Sequence, residues 1–208
     1  MPTGKVDQGV FRDYVEQSCH CLDRREHQFF SRHLGQKNAW RSFSSFRDSC
    51  VYLDIETDGR AITTIGLFDG DSYTCLVRGE SLENFRDIIS RYAMIVTFCG
   101  TGFDLPTIVK SFPGLELDQI HLDLCPVLRK LGLRGGLKSI ERQLGIGRAE
   151  EIDGLTGFDA VILWRRYIGL GDSGALERLI EYNKADVVNL KPLAEFAYTR
   201  MREAVLAS

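Results

Sequence analysis

The stretch CVYLDIETDGRAITTIGLFDGDSYTCLVRG, residues 50–79, decides how the rest of the chain is read. Three runs, CVYLDIE, AITTIGLFD and SYTCLVRG, alternate in the manner of strands, with breaks at Thr57-Asp58-Gly59 and Asp69-Gly70-Asp71. Period-two alternation punctuated by Asp-Gly predicts three successive strands joined as hairpins by tight turns. In the first run Val51, Leu53 and Ile55 face one way, while Tyr52, Asp54 and Glu56 face the other. Two carboxylates side by side on a strand so apolar on its other face repel by about 4 kcal/mol at roughly 4 Å if the effective dielectric is about 20. A cation is the simplest compensation; a solvent-facing edge strand is the alternative.

Past residue 80, SLENFRDIISRYA opens with Ser81, carries Glu83 and spaces its apolar residues helically, and MIVTF then reads as a short buried strand. This is a crossover helix feeding a parallel strand. FDLPTIVKSF, QIHLDL, GGLKSIERQLGI, GFDAVILWRRY and GALERLIEYNKADVVNL continue as helix, strand and three helices. Pro192 should end or kink the last of these, and PLAEFAYTRMREAV starts afresh with Pro in its first turn. Before residue 48 lies a polar arm carrying Phe11, Tyr14, Phe29, Phe30, Trp40, Phe43 and Phe46 at helical spacings. Residues 1–47 are therefore expected to form short helices packing on a main domain, residues 48–208. The order βββαβαβ followed by helices is that of an α/β ribonuclease H-like fold with a mixed central sheet of about five strands.

Composition narrows the class without assigning a function. Hydrophobic residues at 44% and charged residues at 26% suit a globular domain rather than a disordered one. A net charge of −3 excludes a polyelectrolyte that coats nucleic acid indiscriminately, so any such surface must be local. Residues 129–148 fit that role, with Arg129, Lys130, Arg134, Lys138, Arg142 and Arg148 against the single acid Glu141. The N-terminus has no apolar run of signal-peptide length, and no segment approaches the roughly 18 apolar residues of a spanning helix, so no membrane partner and a cytoplasmic location are expected. The six cysteines lack the density of a disulfide framework and are read as reduced thiols. Cys19 and Cys21, with His27 and His33, lack the spacing of a zinc site.

Two further segments bear chemistry. Tyr182 and Asp186 lie four residues apart on one face of the predicted helix. Asp104 follows a strand and a glycine-containing turn, where an Asp ordinarily caps a helix. Taken with LDIETDG (53–59), the motifs FCGTGFDLP (98–106) and YNKAD (182–186) resemble, in this order, those of the DEDD 3′→5′ exonuclease superfamily of ribonuclease H-like folds. Tyr182 marks the subclass that uses Tyr rather than His (DEDDy). Within it the chain looks closest to the YprB-like family of predicted exonucleases, over about residues 46–197.

The resemblance implies two divalent ions, Mg²⁺ or Mn²⁺, held by Asp54, Glu56, Asp104 and Asp186. It implies Tyr182 aiming the attacking water, and nucleoside 5′-monophosphates released from 3′ ends of DNA or RNA. An endonucleolytic or non-catalytic nucleic-acid-binding module on the same fold is the competing expectation. Thr57, Cys99, Lys138 and Arg142 are the candidate nucleic-acid contacts. Cys99 stands where related motifs usually carry Asn, which puts a weak hydrogen-bonding group in place of a strong one.

Overall fold

Two Asx turns make the expected three-stranded meander. Asp58 Oδ1 accepts the N–H groups of Arg60 and Ala61, and Asp69 Oδ1 those of Asp71 and Ser72. Gly59 and Gly70 take the positive φ that each reversal needs, +86° and +106°. The computed structural model describes residues 8–207. Its strands β1 (Cys50–Thr57), β2 (Ile62–Phe68), β3 (Tyr73–Val77), β4 (Met94–Thr97) and β5 (Ile120–Asp123) form one sheet in the order β3-β2-β1-β4-β5. β1 pairs antiparallel with β2 and parallel with β4, and β4 pairs parallel with β5. The acid-bearing strand is therefore central, which removes the edge alternative.

The helices are α1 (Gln8–Asp23), α2 (His27–His33), α3 (Phe43–Phe46), α4 (Phe85–Ile89), α5 (Asp104–Ser111), α6 (Leu124–Lys130), α7 (Leu137–Gln143), α8 (Glu150–Asp153), α9 (Gly157–Leu170), α10 (Ser173–Val188) and α11 (Leu190–Leu206). Alternation in β1 sorts the core as predicted. Val51, Leu53 and Ile55 join Phe85 and Ile89 of α4 and Ile108 of α5 on one face. Cys50 and Tyr52 join Leu128 of α6, Ile140 of α7 and Leu193 of α11 on the other. α10 ends at Val188 and α11 restarts at Leu190, with Pro192 in its first turn as expected. Among the described residues no helix is long and apolar enough to cross a membrane.

The arm divides in two. Trp40, Phe43 and Phe46 are buried in the same cluster as α6 and α11. Phe11 and Tyr14 do not reach it: they are 60% and 42% exposed on α1, a helix of 16 residues rather than a short one. Tyr14 instead meets Phe29 and His33 of α2, with ring centroids 5.5 and 5.6 Å apart.

The cysteine expectation needs correction. Cys19, Cys21, Cys50 and Cys75 are free thiols, but Cys99 and Cys125 are disulfide-bonded, with Cα atoms 5.0 Å apart. Strand register explains the pairing. Thr97 of β4 lies opposite Asp123 of β5, so residues two beyond each are neighbours. The Asp123 carboxylate then gathers both backbones by accepting the N–H groups of Cys99, Thr101 and Cys125.

Candidate active site

The functional side chains come from three parts of the fold. β1 projects Asp54 and Glu56 from one face near its C-terminal end, beside a register shift between Glu56 and Thr57. α5 begins at Asp104, and α10 carries Tyr182 and Asp186 one turn apart. The position of α10 is set sharply at its start. Thr156 and Asp159 form a capping box on α9, Gly171 ends that helix in the left-handed conformation (φ +67°), and Asp172 caps α10 by accepting the Ala175 N–H.

α10 approaches the sheet closely because Gly66, opposite Asp54 in β2, has no side chain. A Cβ there would collide with Asn183 Oδ1 and Val187 Cγ2. Asn183 is wholly buried and donates through Nδ2 to Asp54 Oδ2 (3.0 Å), while its Oδ1 accepts the Tyr73 hydroxyl (2.9 Å). One oxygen of Asp54 is thus fixed before any ligand arrives.

One ligand oxygen from each of Asp54, Glu56 and Asp186 lies within 4.8 Å of the others, the only such group of potential metal ligands among the described residues. Burial raises the pKa of Asp54 well above the ordinary carboxylate value, reinforced by Asp104, Asp186 and Glu56. Burial and then Asp186 and Asp104 push Glu56 up to about 8, against the pull of Lys138. Asp186 is raised by burial and held down in part by Arg148. Hard carboxylate oxygens crowded until they resist ionising are a donor set that fits a divalent cation such as Mg²⁺ or Mn²⁺.

Asp104 sits beside this group rather than within it. Its Oδ1 accepts the Ile55 N–H at 3.2 Å, so it ties α5 to β1 and does not cap its own helix. Burial raises it to about 6, with Asp123 and Asp186 adding to the effect and its backbone hydrogen bonds opposing it.

Asp54, Tyr182 and Asp186 open on a cavity of about 350 Å³ walled also by Phe98, Gly136, Leu137, Lys138, Ser139, Thr156 and Gly157. Tyr182 is 6% exposed, and burial raises its phenol well above the usual value, so it enters the site as a hydrogen-bond donor. Lys138 Nζ lies 4.8 Å from the centre of the Tyr182 ring and has no hydrogen-bond partner.

The other proposed nucleic-acid contacts are scattered. Thr57 is half-buried at the end of β1. Cys99 is engaged with Cys125 at a left-handed backbone (φ +61°), and Arg142 is exposed and 3.7 Å from Asp153. The basic segment also loses a member: the Arg148 side chain is 2% exposed and paired with Glu141 and Asp186, so it is no surface steering charge.

Gly66 and Asn183 escape the sequence reading, and Glu141 and Arg148 enter it only as charges of the basic segment. Asn183, adjacent to Tyr182 within YNKAD, was the one most open to notice. A family model for the RNase H superfamily matches residues 51–198. No curated protein matches the chain.

Proposed function

Since the chain belongs to the RNase H superfamily, we propose that it is a metal-dependent 3′→5′ exonuclease of the DEDD type, akin to the YprB-like family, acting on single-stranded 3′ ends of DNA or RNA. The observation that carries this reading is the group of Asp54, Glu56 and Asp186 oxygens, of which Asp54 and Asp186 line one cavity with Tyr182.

Two divalent ions, Mg²⁺ or Mn²⁺, would supply Lewis acidity toward water and charge compensation at the departing oxygen of an in-line displacement. Asp54, Glu56 and Asp186 would hold them, and Asp104 would act at one remove, through its grip on β1 and through water. Asn183 orients Asp54 so that its other oxygen faces the cavity. Tyr182 keeps its proton and aims the attacking water by a hydrogen bond, since a phenol so raised is no base near neutral pH. Lys138, unpartnered beside Tyr182, gives a phosphate its point charge. Phe98 on the cavity wall offers a face on which a terminal base can stack.

The test is incubation of the purified protein with 5′-labelled single- and double-stranded DNA and RNA, with Mn²⁺, Mg²⁺ or chelator. A metal-dependent ladder shortening from the 3′ end is expected. Internal cuts, cleavage of circular substrates or the absence of any metal-dependent product would overturn the reading.

A further inference from the structure

Arg148 lies in the segment after α7, yet its guanidinium is buried against two carboxylates. Nε and Nη2 donate to Glu141 Oε2 and Oε1, each at 2.7 Å, and the same Nη2 stands 2.5 Å from Asp186 Oδ1. Glu141 is itself 1% exposed and accepts the Asn189 Nδ2–H at 3.0 Å. Asn189 follows directly on α10, so the chain of contacts leaves Asp186, passes through Arg148 and Glu141, and returns to the end of the same helix. A planar fork gripped on one edge by a carboxylate has a fixed direction, and a buried cation with that many constraints does not swing away when a ligand arrives.

The geometry points to Arg148 as a positioning residue that leaves Asp186 a single free carboxylate oxygen and sets how tightly the acid group holds its ion. This rests on the metal-site reading given above. With Oδ1 held by the guanidinium, Oδ2 is the freer oxygen, so Asp186 would favour ligation through one oxygen where a free carboxylate could use both. The guanidinium charge also opposes the ion. An ion of two charges feels that opposition more than the single proton it displaces from a carboxyl group, so loss of the cation favours the ion even after proton competition. Glu141 moderates the effect by neutralising Arg148 from its far side. Both consequences of losing Arg148, a second ligand oxygen and one fewer positive charge, act in the same direction on binding, while the altered ligand geometry slows turnover.

The experiment is a Mn²⁺ titration of the full chain by calorimetry or electron paramagnetic resonance at fixed alkaline pH, beside kcat on a single-stranded substrate. R148M is expected to bind Mn²⁺ about tenfold tighter, for want of the opposing charge, and to turn over at least about tenfold more slowly. E141Q, which frees the Arg148 charge, is expected to bind about tenfold more weakly. A residue that merely supports the fold would weaken binding in both variants, so opposite signs distinguish the roles. R148M binding no tighter than wild type, or both variants shifting the same way, overturns the assignment. If circular dichroism shows R148M unfolded, R148K carries the test: it keeps the charge and loses the fork, so only the freed Asp186 oxygen acts, Mn²⁺ should bind tighter than in wild type by less than about tenfold while kcat falls about tenfold, and binding no tighter than wild type overturns the assignment. Wild-type protein that binds no Mn²⁺ overturns the metal-site reading itself; wild-type binding with R148M unmoved overturns this assignment alone.

Discussion

Burial and the neighbouring Asp186 and Asp104 carboxylates push Glu56 up to about 8 from an ordinary 4.5. Between those values the folded protein keeps a proton that the unfolded chain has lost. Stability therefore falls as pH rises through this window, at up to about 1.4 kcal/mol per pH unit for one such group. Asp104, raised to about 6, steepens the lower part. The melting temperature in chelator is expected to drop between about pH 5 and about pH 8, and Mn²⁺ should restore it most at the upper end, where the carboxylates it binds are otherwise forced to ionise alone. A melting temperature that climbs across the window in chelator would show that the acids are not crowded as described. Asp54→Ala should reduce nuclease activity to background while leaving the circular dichroism spectrum intact. Tyr182→Phe should cost about 10²-fold in kcat, the scale of a lost water-orienting hydrogen bond; wild-type rates in either variant would place the chemistry elsewhere.

Elements meet at this site through a gap in the sheet. Gly66 lets α10 sit close enough for Asn183 to reach Asp54, so Gly66→Ala should push the helix outward, destabilise the protein by about 1–3 kcal/mol and weaken Mn²⁺ binding together. Chemical denaturation and metal titration of one variant check both; an unchanged metal affinity would mean that Asp54 needs no help from α10. The same junction explains what could be read beforehand. Alternation in β1 and the four-residue step from Tyr182 to Asp186 are local periodicities, so the strand faces and the helical pairing were legible. Gly66 against Asn183, and Arg148 against Asp186, are contacts between distant segments, and no period within either segment announces them. Asp104 shows the same limit: an Asp in that place ordinarily caps its helix, whereas its partner here, the Ile55 N–H, belongs to another element. The Cys99–Cys125 pairing likewise follows from parallel register, which composition cannot express.

Across the whole molecule, the arm and the nuclease body share a core. Trp40 and Phe46 are 4% and 0% exposed, packed in the cluster that α6 and α11 line. Trp40→Ala is expected to cost about 3–5 kcal/mol of stability with Mn²⁺ affinity unchanged in the folded protein, since Trp40 packs against Tyr198 and forms no part of the wall of the acid-bearing cavity. Urea titration with a parallel binding isotherm tests this; a stability loss below roughly 1 kcal/mol would make the arm an appendage. The bond from Asn183 to Asp54 spans 129 positions of chain. An ion shared by Asp54 and Asp186 would add a second clasp over nearly the same span, and α10 could not lift from β1 until that clasp opened. Occupancy would then govern how long the native state survives as well as how favoured it is, so a protease that cuts only opened molecules would find the loaded protein a slower target than the chelated one.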